Sequence, residues 1–200
     1  MIKRLTIFCG SDVGLSPVFA QEARKTGEVL AEQNIGVVYG GAGIGLMGTV
    51  ANAALQHGGE VIGVIPAFLK TVEIAHPSLT QMIVVDTMHQ RKAKMNELSD
   101  GAIALPGGFG TMEELFEMLT WAQLGLHSKP VGLLNTAGFY NPLLQMIQTM
   151  AVQGFLKPEH SNLLMADEHL PSLLEKMQQY RPPADSHWKQ FENLKREDLI

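Results

Sequence analysis

Gly36-Val-Val-Tyr-Gly-Gly-Ala-Gly-Ile-Gly-Leu-Met-Gly48 runs from an apolar stretch of strand length, through a glycine-rich turn, into the helix-forming segment Leu46–Gln56. A strand covered on both faces reads as such a continuous apolar run, because neither side meets water. The same unit recurs along the chain. Leu5–Cys9, Val61–Ile65, Met82–Val85, Ala102–Leu105 and Val131–Leu134 are further short apolar runs bounded by Gly, Pro or Asp. Amphipathic stretches Pro17–Gln33, Met88–Leu98, Thr111–Leu124 and Pro142–Gln153 lie between them, and Leu163–Ala166 with Leu170–Gln179 closes the domain. This alternation predicts an α/β fold, a Rossmann-like doubly wound, mostly parallel sheet with helices on both faces. Ligands in such sheets bind at the carboxyl ends of strands, where strand order reverses. The loops after strands therefore carry the functional reading.

Composition narrows the classes. With 200 residues, 46% hydrophobic and 18% charged, the chain can bury a substantial core and is expected to form one domain over 1–180. Arg181-Pro182-Pro183 then breaks the pattern, and the tail 181–200, with Trp188, Phe191 and Leu194, is polar, a helix being one reading of it. A net charge of −5 argues against a nucleic-acid partner, which needs a basic footprint. The single Cys9 excludes an intrachain disulfide framework and fits a reducing compartment. No apolar run approaches the ~20 residues of a membrane span, and Leu5–Cys9 is shorter than the ~7–15 residues of a signal-peptide core. A cytoplasmic protein that avoids membranes is expected.

Two loops stand out. The first holds a G-x-G-x-x-G in Gly43, Gly45 and Gly48, but a dinucleotide site wants an acid at the end of the next strand. That strand ends Val64-Ile65-Pro66. What stays open is a tight turn with close helix packing, or a loop whose amides approach a small anion, with Gly41 and Gly43 as candidate binding positions. The second loop, Leu105-Pro-Gly-Gly-Phe-Gly-Thr111, opens a helix with Met112-Glu113-Glu114. Its glycines let the backbone aim amides at one point, and a helix start adds roughly half a positive charge. Gly107, Gly108, Phe109, Gly110 and Thr111 would form a phosphate cradle. Thr111 and Glu114 also read as a capping box.

Two helices add charged groups. On 111–124, Met112, Leu115, Phe116, Leu119 and Ala122 make one apolar stripe, with Glu114, Met118 and Trp121 on the opposite strip. A second covered face would desolvate Glu114 and would call for another surface, such as a second copy of the chain. On 88–98, Arg91 lies inside the stripe of Met88, Met95 and Leu98, and Lys92 on its edge. A guanidinium among apolar neighbours needs an anionic partner, either a protein carboxylate or a ligand phosphate. Seven scattered histidines show no metal-ligand spacing, so no metal is expected.

Pro106-Gly-Gly-Phe-Gly-Thr-Met-Glu-Glu114 resembles the PGGxGTxxE signature of the Lonely Guy family, and Met88-His-Gln-Arg-Lys92 its MHxRK segment. Gly40–Gly48, Leu119–Gly125 and Val131–Asn135 resemble the family as well. The resemblance implies a Rossmann-like, usually dimeric phosphoribohydrolase acting on cytokinin riboside 5′-monophosphates, with no cofactor. Its members were often labelled lysine decarboxylases, but nothing in the sequence reads as a pyridoxal phosphate site. By position the resemblance makes Arg91 and Glu114 catalytic. Glu73, Lys92, Gly108 to Glu114 and Thr120 become substrate-binding. The expected ligand is a nucleoside 5′-monophosphate, cleaved to free base and ribose 5-phosphate. A broader nucleoside-monophosphate nucleosidase and a non-catalytic nucleotide sensor or carrier are the alternatives.

Overall fold

The computed structural model describes residues 2–70 and 75–183. The strands are β1 (Arg4–Phe8), β2 (Gly36–Tyr39), β3 (Val61–Pro66), β4 (Gln81–Val85), β5 (Gly101–Ala104), β6 (Val131–Leu134) and β7 (Leu164–Asp167). The helices are α1 (Pro17–Glu32), α2 (Gly45–Gln56), α3 (Met88–Leu98), α4 (Phe109–Leu124), α5 (Asn141–Val152) and α6 (Leu170–Gln179). All strand pairs are parallel, in the order β4-β3-β2-β1-β5-β6-β7. The chain builds outward from β1 to one edge, then returns to β5 on β1's other side. Strand order reverses at the β1–β5 junction, so the crevice above it is where this topology places a ligand.

The pleat sends alternate residues to two separate cores. Leu5 and Ile7 of β1, Val37 and Tyr39 of β2, and Ile103 of β5 face α1, α2 and α6, where Leu30, Val50 and Leu173 meet them. Phe8, Val38, Ala102 and Ala104 face the other way, onto Met95 of α3 and Leu115 and Met118 of α4. Fully burying one such aliphatic or aromatic side chain contributes about 1.5–3 kcal/mol. Local signals set the helix ends. Pro17 occupies the first turn of α1, where a missing N–H costs nothing. Asn34, with φ 56°, turns the chain from α1 toward β2, and Gly125, with φ 78°, ends α4 in the left-handed region.

Three expectations need correction. The run Met82–Val85 is not covered on both faces: β4 is an edge strand and Val84 is 47% exposed. Helix α4 begins at Phe109 with Gly108 as its cap, so Thr111 lies inside the first turn, buried, and is no cap. The capping box is thereby excluded. Finally, Met118 is buried with Thr111, Leu115 and Ala122, while Phe116 is exposed. The core-facing stripe is rotated from the one expected. The apolar groups pulled Phe116 into the expected stripe, whereas the sheet accepts the 4-3-4 spacing on which small Thr111 and Ala122 sit.

Candidate active site

The crevice at the switch point holds a cavity of about 280 Å³ between the loops after β1 and β5. Cys9, Gly10 and Ser11 continue β1, and Gly108 to Thr111 continue β5 into α4. Met88 and Arg91 enter from α3, Met47 from α2, and Glu113 and Glu114 from α4. The two loops are sewn together beyond the strands: Leu105 N donates to Phe8 O at 2.8 Å and Gly10 N to Pro106 O at 3.1 Å.

Helix α4 starts on a glycine with no side-chain cap. The first intrahelical bond runs from Met112 N to Gly108 O at 3.1 Å. The amides of Phe109, Gly110 and Thr111 are thus the helix's orphan donors, and they open beside the cavity. Thr111 is held inward because Gly107 has no Cβ: one built there would overlap Thr111 Oγ1. Phe109, by contrast, is 96% exposed at the rim.

Arg91 and Glu114 face each other across this cavity. Nη2 and Oε1 are 4.0 Å apart, with the side chains 7% and 12% exposed. That is an ion pair at arm's length, not a bidentate clasp. Arg91 Nη1 approaches Met88 Sδ at 3.8 Å, and Arg91 Nε is buried without an acceptor among the described residues. A desolvated guanidinium with an unused donor is poised for an anionic or carbonyl-like ligand group. Its place is made by Gly40, where a Cβ would coincide with Nη2. At the cavity floor, burial pushes the Cys9 thiol far up and the Glu114 charge adds to it, so the thiol stays protonated and is no nucleophile.

Other residues singled out in the sequence lie elsewhere. Lys92 is buried but ion-paired with Glu113 and, at 3.0 Å, with Glu117. Burial lowers its pKa, yet the hydrogen bonds and charges of the two glutamates outweigh this and leave it raised. Thr120 sits exposed on α4, its hydroxyl donating to Phe116 O at 2.7 Å, and does not line the cavity. Gly41, with φ 82°, packs against Ile65 and Met82, and neither it nor Gly43 borders the cavity. Glu73 falls outside the described residues. Among those described, no group of three or more His, Cys, Asp or Glu is placed to hold a metal ion.

Gly40 and the Cys9-Gly10-Ser11 turn belong to the site and were not singled out from the sequence. The signal for the turn was present, since it follows a strand directly. Gly40 carried no such signal, because its role depends on Arg91 arriving from α3.

Residues 47–177 match a family model described as "Possible lysine decarboxylase". A cytokinin riboside 5′-monophosphate phosphoribohydrolase of Rhodococcoides fascians is 54% identical over 157 residues, 78% of this chain and 79% of the relative. A protein of Oryza sativa subsp. japonica, named as a probable enzyme of the same activity, is 47% identical over 177 residues, 88% of this chain and 79% of the relative. The molybdenum cofactor binding protein of Rippkaea orientalis shares the fold alone, with a TM-score of 0.67 and 21% identity over 90% of this chain and 97% of that one. Such identity over most of both chains, together with the family model, means that this chain belongs to the Lonely Guy family of cytokinin riboside 5′-monophosphate phosphoribohydrolases.

Proposed function

We propose that the chain hydrolyses the N-ribosidic bond of adenine-type nucleoside 5′-monophosphates, releasing the free base and ribose 5-phosphate. The observation that carries this reading is the Arg91–Glu114 pair, desolvated and 4.0 Å apart, beside the uncapped amino terminus of α4. The amides of Phe109, Gly110 and Thr111, with the positive end of the helix, receive the phosphate. Breaking the ribosidic bond builds positive charge on the sugar, as in glycoside hydrolysis. Glu114, facing the sugar, stabilises that charge or takes a proton from the attacking water. A positioned base typically contributes ~10²–10⁴-fold. Arg91 supplies its unused donor to the ribose-phosphate or to the departing base.

The test is to incubate the protein with a panel of nucleoside monophosphates, including N6-prenylated AMP, and separate the released bases. Adenine-type bases are expected, and Glu114→Gln and Arg91→Ala should each lower turnover by at least ~10²-fold while the fold is retained. Near-normal turnover by both variants would remove the pair from the mechanism.

A homodimer is part of the same proposal. Helix α5 buries none of its twelve residues, and Met146, Val152 and Phe155 are 53%, 76% and 87% exposed on it and the turn that follows. Phe116 and Leu124 of α4 and Leu126 beyond it add to the exposed apolar set. No helix among the described residues is long and apolar enough to cross a membrane. We place the reaction in the cytoplasm, a reading supported by the single buried thiol of Cys9.

A further inference from the structure

Tyr39 and Tyr140 are among the largest fully buried side chains, each 1% exposed. Each hydroxyl is bonded to a main-chain carbonyl of one glycine loop. Tyr39 Oη donates to Ala42 O at 3.2 Å, in the first loop. Tyr140 Oη donates to Leu105 O at 2.6 Å, where the second loop leaves β5. Leu105 itself is 1% exposed, so its carbonyl has no ready substitute in water.

Tyr140 is well braced for that contact. Its backbone N–H donates to Asn135 Oδ1 at 2.7 Å, and Asn135 Nδ2 donates to Asn141 Oδ1 at 2.8 Å. Asn135 is tied in turn to β7, its N–H donating to Asp167 O at 2.8 Å. The Phe139 ring stands edge-on to Tyr140 with centroids 4.9 Å apart. Burial pushes the phenol's pKa well up, which keeps the donor neutral.

The residues beyond Leu105 have few other ways to move. Pro106 fixes its own φ, its carbonyl accepts from Gly10 N at 3.1 Å, and Gly107 is packed against Thr111 Oγ1. The orientation of the peptide at Leu105 is therefore passed on to Gly108, the cap from which the free amides of α4 diverge. Tyr140 is not among the residues that line the cavity. It acts one step back.

We infer that Tyr140 is a positioning residue, which through Leu105 O fixes the second glycine loop so that the first amides of α4 are aimed at the substrate's phosphate before it arrives. Donors that are already oriented need no reorganisation during the reaction, which is where their advantage over water lies. The inference rests on reading those amides as the phosphate site.

The experiment compares wild type, Tyr140→Phe and Tyr39→Phe, each checked for its thermal midpoint. Each variant loses one buried hydroxyl and keeps the ring. The readouts are the ratio of kcat/KM for AMP over adenosine, and inhibition by inorganic phosphate. Tyr140→Phe should lower the ratio by about 5- to 10-fold, mainly through KM for AMP, and raise the Ki of phosphate by a similar factor, the scale of one lost hydrogen bond. Tyr39→Phe should leave both as in wild type. A wild-type ratio far above one that Tyr140→Phe does not change overturns the inference, whatever happens to the midpoint. So does an equal fall in both variants, which would mark a generic cost of a lost buried hydroxyl. A wild-type ratio near one fails at the earlier step, the phosphate site itself, and the inference falls with it. Should Tyr140→Phe not fold, Asn135→Ser, which loosens Tyr140 from its backbone side, carries the same expectation and the same refutation.

Discussion

A single methyl group on residue 40 would occupy the space of Arg91 Nη2, so the smallest change in the first glycine loop reaches the proposed catalytic pair. Gly40→Ala must displace the guanidinium or the loop. Overpacking of this kind costs about 1–3 kcal/mol. Misplacing a catalytic group by about 1 Å can cost ~10²-fold in rate. The expected outcome is a soluble, folded variant whose kcat falls by roughly that factor. Measuring kcat beside the thermal midpoint decides it, and a fully active Gly40→Ala would show that Arg91's position is not critical. Arg91 and Glu114 could be read in the sequence because a charge inside an apolar stripe, and a carboxylate at a glycine-loop helix start, violate local expectation. Gly40 could not. Its role depends on a side chain arriving from α3, about fifty residues later, and no spacing along β2 encodes that. Lys92, adjacent to Arg91 in sequence, turns toward Glu113 and Glu117 on the neighbouring helix.

At the scale of elements, the periods of apolar residues locate each strand and helix to within two residues, since burial on both faces leaves little latitude. The faces of α4 were harder, because the stripe that meets the sheet includes Thr111 and Ala122 while bulky Phe116 points outward. Hydrophobicity alone ranks those residues wrongly. Ends of elements carry further chemistry. His127, just past α4, bonds through Nε2 to Met118 O at 3.0 Å, while its Nδ1 accepts from Lys129 N at 3.1 Å. His76 likewise accepts from Ser78 N at 3.2 Å through Nδ1 and reaches Asn52 Oδ1 at 3.1 Å through Nε2. Both rings therefore fit the neutral Nε2–H tautomer. Burial is the leading cause that depresses both pKa values from 6.5, so the folded protein favours the neutral ring. The unfolded chain then binds more protons on acidification. The stabilisation is complete above the unfolded value and is lost as pH falls through the folded one. We predict a thermal midpoint that declines as pH drops from 7.5 to 5, and a shallower decline in His127→Asn. One kcal/mol moves the midpoint by about 2–4 °C in a chain of this size. Parallel pH profiles for the two proteins would dismiss His127 as a contributor.

At the scale of the whole molecule, the sheet order explains why one end of the sheet carries the candidate site, and helices α4 and α5 leave large apolar side chains exposed. Strand order had to come from the fold, because the jump from β4 back to β5 beside β1 leaves no mark in local sequence. The residues that favour a dimer are not the expected Met118 and Trp121. Met118 is shielded by its own chain's sheet, and Trp121 packs partly on the same core, so neither demands a partner. Support for the proposed partner comes instead from Phe116, Leu124, Leu126, Met146, Val152 and Phe155, which leave apolar surface on α4, α5 and the turns beyond them. Exposed apolar surface, where it gathers into a patch, marks an interaction site, and a two-fold contact of standard size buries ~1,200–2,000 Å² in total. Since Tyr140 stands at the start of α5 and α4 begins at the second glycine loop, a partner on these helices would steady both supports of the amides proposed to hold the phosphate. Val152→Glu and Phe155→Glu place a charge where the monomer is open to water, so the fold should tolerate them. In a dimer the same charge would be buried and unpaired, at a cost of several kcal/mol. We predict that wild type sediments as a dimer at micromolar concentration, that each substitution shifts it toward monomer, and that activity falls in step with dissociation on dilution. A wild type that sediments as a monomer and keeps full turnover at every dilution would remove the partner from the site.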